Sequence, residues 1–320
     1  RSTLFPYTTL FRSHENDSYV VQSKTGNVFE SEIVINAAGL NSDKIARLIS
    51  DISWEITPRK GQYFVLDQLN YDLVNHVIFP LPSDKGKGVL ISKTTGTTYI
   101  VGPSSEPVSD NSDLSTDKMT LDNIKSQANL IVDSIPFNKC IRAFSGLRAT
   151  CSRHDFVIEQ DEKYSHFINI GGIESPGLVS SPAIAKYVVE ELVKKLIKLE
   201  PKPSYNPRIK PYTRLKDLDI EQRNEIIKKN KDYGRIICFC EQISLGEVKE
   251  ALSRSVPPRS IKAMKKRVRA GFGRCQGGFC QSNILKEIAN HYGVAWSKVN
   301  YDEENTNILL DSFKGACHDK

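Results

Sequence analysis

The sequence predicts an α/β chain, or α+β over the residues present, in which a mixed region of helices and strands precedes a small helical domain. Short apolar runs typical of strands alternate with amphipathic stretches over residues 14–199. A proline-rich segment then interrupts this pattern, and four paired cysteines follow it. A chain of 320 residues has room for two domains that each bury a core.

The first residues are set aside because they do not read as protein sequence. Residues 3–13 match the translation of a common short-read sequencing adapter at all eleven positions. We therefore treat residues 1–13 as an artefact and expect the natural N-terminus to be missing. Residues 14–199 are then interpreted as the C-terminal part of a larger domain.

Apolar periodicity predicts the elements of this region and the end of the domain. The predicted strands span 19–22, 32–36, 62–66, 88–92, 97–102 and 166–170, with a turn at 24–27, and the predicted helices span 116–134 and 183–199. Four prolines in residues 200–211 predict a linker, which we extend to residue 232. Residues 233–295 form the cysteine-bearing domain, and residues 296–320 form a polar tail.

Two loops of small residues follow predicted strands. The strand 32–36 ends in Ala37, Ala38 and Gly39, where a backbone could approach a ligand closely, although a bare turn gives the same pattern. Residues 171–178 read Gly-Gly-Ile-Glu-Ser-Pro-Gly-Leu and lead towards a helix predicted to begin at Ala183. Free amides at such a helix end stabilise negative charge by about 0.3–1 kcal/mol, whereas the alternative is a plain glycine turn.

The most informative feature is a set of four cysteines in two close pairs. Cys238 and Cys240 are separated by one residue, and Cys275 and Cys280 by four. Four thiolates indicate either zinc or an iron–sulfur cluster, and zinc sites usually place two residues within a pair. Unequal loops can reach both irons of a wider centre, so a two-iron cluster is favoured. Zinc and four unrelated thiols remain as alternatives.

The other cysteines, Cys140, Cys151 and Cys317, lack paired spacing and are interpreted as ordinary thiols.

The sequence around these cysteines suits a negatively charged centre. Glycines at 271, 273, 277 and 278 leave backbone amides free to approach cluster sulfurs. A run of cations without any acid precedes and enters this loop: Arg259, Lys262, Lys265, Lys266, Arg267, Arg269 and Arg274. The run predicts either a solvated helix face or a docking surface for an acidic redox partner.

These residues carry a resemblance to a known domain. Residues 238–252, with Cys-x-Cys-Glu and a later Glu-x-x-x-Ala-Leu, and residues 269–280, with Arg-Ala-Gly-x-Gly-x-Cys-Gln-Gly-Gly-x-Cys, resemble the bacterioferritin-associated-ferredoxin-like [2Fe–2S] domain. The form at the C-terminus of anaerobic glycerol-3-phosphate dehydrogenase large subunits is especially similar. The resemblance covers about residues 235–292 and departs at Phe272, where methionine is expected. It implies a [2Fe–2S] cluster held by Cys238, Cys240, Cys275 and Cys280.

A second resemblance covers about residues 17–195. Segments 36–43, 58–63, 102–103, 145–148 and 172–178 are together similar to the D-amino-acid-oxidase-like flavoprotein family. The resemblance implies a remnant of an FAD-binding Rossmann-like domain with a mostly antiparallel substrate-domain sheet. It implies FAD contacts at Ala38, Gly39, Gly146, Gly172, Ile173, Pro176, Gly177 and Leu178. It also implies that Arg148 anchors the anionic group of the substrate, the alternative being a structural arginine paired within the sheet.

Taken together, the two resemblances imply an FAD-dependent dehydrogenase that passes electrons through a [2Fe–2S] cluster to a partner. The substrate would be a small anionic hydroxy compound, with glycerol 3-phosphate as first choice. The alternatives are a 2-hydroxyglutarate or amino-acid dehydrogenase, and a non-catalytic electron carrier or sensing module. No Gly-x-Gly-x-x-Gly motif is present, and we expect it in the missing N-terminal segment. The general base remains unnamed, since His154 is near Arg148 only in sequence.

Composition limits the cellular location and the binding partners that we expect for this chain. The net charge of +6 is spread along the chain and does not indicate a nucleic-acid partner. No apolar run approaches the ~20 residues that span a bilayer, so at most peripheral membrane association is expected. Without a secretory segment the expected location is the cytoplasm, where thiols stay reduced. The expected redox partner is a flavin or iron–sulfur protein.

Overall fold

The computed structural model describes residues 9–15, 18–23, 26–81 and 88–310, with only the backbone described for residues 9–15. The strands are β1 Thr9–Glu15, β2 Ser18–Ser23, β3 Val28–Ser31, β4 Val34–Asn36, β5 Ile56–Leu66, β6 Leu90–Lys93, β7 Tyr99–Gly102, β8 Glu106–Pro107, β9 Cys140–Cys151, β10 Val157–Gln160, β11 Phe167–Gly171, β12 Ile236–Cys238 and β13 Ile243–Ser244. The α-helices are α1 Ser42–Ala46, α2 Lys118–Asn129, α3 Gly177–Tyr187, α4 Lys194–Leu196, α5 Ile220–Lys229, α6 Leu245–Leu252, α7 Ile261–Val268 and α8 Gln281–Tyr292.

The expected mixture of helix and sheet, with a small helical C-terminal domain, is confirmed. Strands β1, β2 and β3 form an antiparallel sheet, and β10, β11 and β4 form a second sheet in which β11 and β4 are parallel. The largest sheet has the order β6-β7-β5-β8 with β9 also paired to β5, and its strand pairs are antiparallel. Part of the predicted turn at 24–27 lies outside the described residues.

The adapter-like segment is not separate from the fold, because residues 9–13 belong to β1. This strand pairs antiparallel with β2, and Phe11 lies opposite Val21. An edge strand offers unpaired N–H and C=O groups that can pair with any extended neighbour, whatever its side chains. Its presence in a sheet therefore follows from the open edge of β2.

Among the described residues, the longest strand pairing is the β5–β9 ribbon. The sequence predicted only part of β5 and did not predict β9. Strand β5 extends over eleven residues where five were predicted, and the twelve residues of β9 had no strand prediction. Polar and glycine residues interrupt the apolar alternation of β9, so periodicity alone did not indicate a strand. Pairing with β5 over its length supplies the backbone hydrogen bonds instead.

Helix α3 begins six residues before the predicted start at Ala183. Pro182, expected near the first turn, lies inside the helix, and Pro176 precedes its first residue. A proline has no N–H to donate to the carbonyl four residues earlier, which here belongs to Leu178. The Ser181 hydroxyl donates to that carbonyl at 2.9 Å. The serine expected to cap the helix therefore compensates for the proline within it, and a π-helical stretch, Val188–Val193, continues the helix into α4.

The cysteine-bearing domain has its own core. A short β12–β13 hairpin packs with α6, α7 and α8, and the buried apolar side chains of this core all lie between residues 237 and 299. The region predicted as linker is irregular at first but contains α5. No helix in the described ranges is long and apolar enough to cross a membrane.

Candidate cofactor sites

The four predicted cysteines converge from two loops of the helical domain. Cys238 ends β12 and Cys240 follows it, while Cys275 and Cys280 lie in the loop between α7 and α8. The pairs in space are not the pairs in sequence. The Sγ atoms of Cys240 and Cys275 are 3.6 Å apart, and Cys238 is hydrogen-bonded to Cys280. Cys238 and Cys280 are buried, whereas Cys240 is exposed, so one side of the site opens to solvent.

Backbone amides are directed at the sulfur atoms. Amides of Gly271 and Glu241 hydrogen-bond to Cys238, and amides of Gly277 and Phe279 hydrogen-bond to Cys275. The hydrogen bond with Cys280 lowers the pKa of Cys238 to about 6, and the same bond raises the pKa of Cys280. Hydrogen bonds to sulfur stabilise thiolate charge, which a metal centre requires of its ligands.

Close packing between the loop that carries Cys240 and the loop that carries Cys275 explains why residue 273 is glycine. A Cβ atom at Gly273 would lie 2.3 Å from the Cβ of Cys240, closer than any two such atoms approach. Only glycine at this position lets the two loops meet. The loops are therefore built to bring both cysteine pairs to one place.

The donor set fits an iron–sulfur centre. Four thiols in two cross-loop pairs, with amides on the sulfurs, match the ligand chemistry of a [2Fe–2S] cluster.

Most of the predicted basic run is engaged within the protein. Arg269 pairs with Glu241 at 3.0 Å, Lys262 pairs with Asp302, and Arg274 pairs with Asp67 of the first region. The remaining contacts are with rings: Arg259 over Tyr292, and Lys265 and Arg269 over Phe272. Five of the seven cations therefore make contacts within the protein, and the docking surface for a redox partner stays a prediction.

The two predicted small-residue loops lie at one edge of the β10-β11-β4 sheet. Because β4 and β11 are parallel and adjacent, Ala38 and Gly39 follow one strand where Gly172 follows the other. The buried Asn36 side chain donates to the Asn169 Oδ1 at 2.8 Å and joins the two strand ends. In open α/β sheets this edge is where ligands bind.

The Gly172–Leu178 segment crosses from β11 to α3. Gly172 has a φ of +64°, and a Cβ there would lie 2.6 Å from the Cβ of Cys151, so a side chain would not fit. Ile173 lies beside Gly177, whereas Leu178 is 91% exposed at the start of α3. The predicted contacts Gly172, Ile173, Pro176, Gly177 and Leu178 thus all lie in this one segment, which runs from the end of β11 to the start of α3.

One face of the β5–β9 ribbon carries the remaining predicted residues. Directly opposed residues of an antiparallel pair share a face, and every second residue returns to it. Along this face the opposed pairs are Val65–Arg142, Tyr63–Phe144, Gly61–Gly146, Arg59–Arg148 and Thr57–Thr150. Thr150 donates to Glu174 at 2.8 Å, which connects this face to the Gly172–Leu178 segment.

The centre of this face has no side chains of its own. A Cβ at Gly146 would meet no atom within 4 Å, and a Cβ at Gly61 would lie 2.8 Å from the Arg148 guanidinium. The Arg148 side chain therefore lies across Gly61. Tyr63 and Phe144 stack beside this glycine pair, with ring centroids 5.0 Å apart.

Arg148 has no carboxylate partner among the residues that the structure describes. Arg59, directly opposite, donates to the Ser105 hydroxyl at 3.2 Å and likewise pairs with no described acid. The alternative of an arginine paired within the sheet is thus not what the described residues show. Arg59 was not among the predicted site residues, although it lies in a segment that supported the family resemblance. His154 lies in the turn after β9, with a φ of +56°.

The fold and these sites define a flavin- and cluster-dependent class of oxidoreductase. The sequence profile of the FAD dependent oxidoreductase family (DAO) matches residues 5–191, and that of the BFD-like [2Fe-2S] binding domain matches residues 236–290. The chain belongs to the FAD dependent oxidoreductase family. FAD and a [2Fe–2S] cluster are the cofactors of these two domains.

Curated relatives agree with this assignment. A glycerol 3-phosphate dehydrogenase of Caloramator mitchellensis is 41% identical over 90% of this chain and 60% of its own length. A glycerol 3-phosphate oxidase of Mycoplasma genitalium is 37% identical over 58% of this chain and 48% of its own. One subunit of the anaerobic glycerol-3-phosphate dehydrogenase of Escherichia coli K12 is 21% identical over 89% of this chain and 56% of its own. The chain thus spans about half to three fifths of these relatives.

Solved structures share the fold. The dithionite-reduced L-α-glycerophosphate oxidase of Mycoplasma pneumoniae with FAD bound superposes with a TM-score of 0.55 at 29% identity, over 60% of this chain and 50% of its own. The glycerol-3-phosphate dehydrogenase of Bacillus halodurans complexed with FAD gives a TM-score of 0.51 at 16% identity, over 91% of this chain and 53% of its own.

Proposed function

We propose that the protein oxidises glycerol 3-phosphate with FAD and passes the electrons through a [2Fe–2S] cluster to a redox partner. The observation that carries this proposal is the ribbon face on which Arg59 and Arg148, both without a described acid, lie beside bare Gly61 and Gly146. The names of the relatives support the choice of substrate.

The substrate site follows from the chemistry of these residues. A guanidinium fork matches phosphate or carboxylate oxygens, and an arginine without an internal partner remains available to bind them. We propose that Arg148 anchors the substrate phosphate and that Arg59 contributes the second cation. Gly146, where a Cβ would meet no atom within 4 Å, leaves room for the carbinol end of the substrate between the ribbon and the strand ends.

The flavin site is proposed at the sheet edge beside this face. Ala38, Gly39 and the Gly172–Leu178 segment would line one side of FAD, and Gly146 the other. FAD, when bound, accepts the two electrons of the oxidation and allows them to leave singly. The residues described here bind and orient the substrate; none of them is assigned as general base.

The cluster is proposed to be held by Cys238, Cys240, Cys275 and Cys280, with the amides on their sulfurs setting its potential. Cys240 is the exposed member, so electrons would leave on its side. The E. coli relative is named as one subunit of an enzyme, which supports a partner protein. A partner that carries flavin or iron–sulfur stays a prediction. A cytoplasmic location and at most peripheral membrane association stay predictions.

The test is substrate-dependent flavin bleaching in full-length protein loaded with FAD, followed without oxygen. Glycerol 3-phosphate should reduce the flavin, whereas glycerol, which lacks the anion, should not. L-2-hydroxyglutarate and amino acids test the alternative dehydrogenases in the same assay. Stoichiometric bound flavin that no compound of this panel reduces would favour the non-catalytic carrier instead.

A second experiment tests the cluster ligands. Protein reconstituted without oxygen should show the visible absorption and reduced-state EPR signal of one [2Fe–2S] centre. Cys275→Ser should abolish the signal, whereas Cys140→Ser should keep it, because the Cys140 thiol only donates to the Arg142 carbonyl. Stoichiometric zinc without iron would contradict the cluster assignment.

A further inference from the structure

The loop that carries Cys275 is attached to the first region of the chain on both sides of that cysteine. Arg274, which precedes it, donates through Nε to Asp67. Gln276, which follows it, accepts at Oε1 from the Arg142 Nη1 at 3.3 Å. These contacts join residues 207 and 134 positions apart in sequence.

Both partners lie at the same end of the β5–β9 ribbon. Asp67 directly follows β5, and its amide donates to the Lys139 carbonyl just before β9. Arg142 lies opposite Val65, on the same face as the glycine pair and Arg148. The cluster-bearing loop is therefore docked at one end of the ribbon face proposed to bind substrate and flavin.

The contact with Asp67 compensates a buried charge. The Asp67 side chain is only 9% exposed, whereas that of Arg274 is 73% exposed. Among the described residues Arg274 is the cation that pairs with this carboxylate; its other oxygen accepts from the Gln68 amide at 2.9 Å. A buried carboxylate without a cation is costly, so the pair favours the docked arrangement.

Arg142 faces a second cation across the same contact. The pKa of Lys265 is lowered to about 8, first by burial and then by the charge of Arg142. Two cations at one interface repel each other, and an anion near both offsets that repulsion by attracting each of them. A cluster with four thiolate ligands carries net negative charge and would be that anion.

A third contact involves the turn between β6 and β7. A Cβ at Gly96 in this turn would lie 2.8 Å from the Arg269 Nη2. Arg269 in turn pairs with Glu241, the neighbour of Cys240. Arg269 thus connects the loop that carries Cys240 to the first region of the chain.

We propose that this end of the ribbon is an interdomain latch, and that Arg142 is a positioning residue that holds the cluster-bearing loop and its negative charge against the flavin-binding region. The proposal rests on the proposed cluster. Reduction adds one electron to the cluster and increases its negative charge by one, so attraction to Arg142 is stronger in the reduced state. By linkage, docking beside Arg142 raises the reduction potential of the cluster.

The first test is an EPR-monitored redox titration of the cluster in the full chain. Arg142→Gln should lower the midpoint potential, with a severalfold change in the one-electron equilibrium constant; a tenfold change corresponds to about 59 mV. Arg142→Lys should retain most of the wild-type potential because it keeps the charge. Arg259→Gln is the matched control, since Arg259 precedes the opposite end of α7 and lies over Tyr292.

The second test measures docking without any redox chemistry. Asp67→Asn removes the charge that binds Arg274 while keeping the shape of the side chain, so protease cleavage in the linker at 200–211 should become severalfold faster. Asp72→Asn is the control, because Asp72 pairs with Lys93 within the first region. The latch is wrong if Arg142→Gln leaves the potential unchanged and Asp67→Asn leaves linker cleavage unchanged.

Neither measurement involves the substrate, so the latch and the proposed reaction fail separately. The proposed function is wrong, and the latch is kept, if glycerol 3-phosphate does not reduce the flavin of the wild-type protein but the variants change the cluster potential and the linker cleavage as expected. If the wild-type chain assembles no cluster, the cluster proposal fails and linker cleavage alone decides whether the latch exists.

Discussion

Arg148 is the residue that we propose to bind the anionic group of the substrate most directly. Its guanidinium lies across Gly61 and has no acidic partner in the described ranges. In the FAD-loaded full-length enzyme, Arg148→Ala should lower kcat/KM for glycerol 3-phosphate at least tenfold, because the substrate anion loses its partner. Arg148→Lys should recover little of this loss, since an ammonium cannot form two parallel hydrogen bonds.

The control for Arg148 is Arg153, which lies in the turn after β9. Arg153 forms an exposed ion pair with Glu159 at 2.8 Å, and such pairs contribute about 0–1 kcal/mol. Arg153→Ala should leave kcat/KM close to the wild-type value. If steady-state kinetics give the same kcat/KM for Arg148→Ala and Arg153→Ala, Arg148 has only a structural role.

At Gly273 the expected effect is on cluster assembly. The added methyl group of Gly273→Ala would lie 2.3 Å from the Cys240 Cβ and force the two cysteine loops apart. We expect loss of the visible absorption of the cluster after anaerobic reconstitution. Gly146→Ala, where the new methyl meets no atom within 4 Å, should assemble the cluster normally. Equal cluster content in both variants would contradict the close packing described here.

At the scale of elements, α6 is stabilised by a capping box that is buried. Glu247 accepts from the amide and the hydroxyl of Ser244, at 2.8 and 2.7 Å. Burial raises the pKa of Glu247 above its ordinary value of 4.5. The folded state therefore disfavours the charged form, and the stability contributed by this group is fully present below about pH 4.5 and declines as pH rises through the folded pKa.

The direction of this pH dependence of stability predicts the behaviour of two variants. Glu247→Gln keeps an acceptor without a charge, so at pH 7 it should be at least as stable as the wild type and lose part of the pH dependence. Glu247→Ala should be destabilised by about 1–2 kcal/mol, because Ser244 loses its acceptor. Unfolding followed by cluster absorption between pH 4 and pH 8 measures both. Gln222→Ala, in the exposed capping box of α5, should cost less.

On the scale of the whole molecule, the cluster domain has a core of its own. Its buried apolar side chains all lie between residues 237 and 299. We expect a fragment from residue 230 to 310 to fold and assemble the cluster without the first region. Removal of the cluster should lower its melting temperature strongly, because thiolate–iron bonds supplement a small core. A fragment that aggregates even when loaded with iron and sulfide would show that docking is required for folding.

Consecutive residues were enough to predict the cofactor of the cysteine-bearing domain. The two cysteine pairs and the glycines around Cys275 predicted an iron–sulfur domain, because ligand spacing and backbone freedom are written in adjacent positions. Residues 36–39 and 172–178 likewise predicted two ligand-binding strand ends. The role of Arg148 was predicted only from the family resemblance of the Ser145–Arg148 segment. That its guanidinium has no acidic partner among the described residues could not be predicted from the sequence.

The tertiary structure alone decided how these parts meet. Helix α3 begins at Gly177 although Ser180, Ser181 and Pro182 predicted a later start, since packing and a side-chain hydrogen bond outweighed a local signal. The pairing of Cys240 with Cys275 depends on how two loops fold over each other. The register of β5 with β9, which opposes Arg59 to Arg148, and the contact of Asp67 with Arg274 join residues too distant for any local pattern. Long-range pairing is set by complementary surfaces, which no short window of sequence contains.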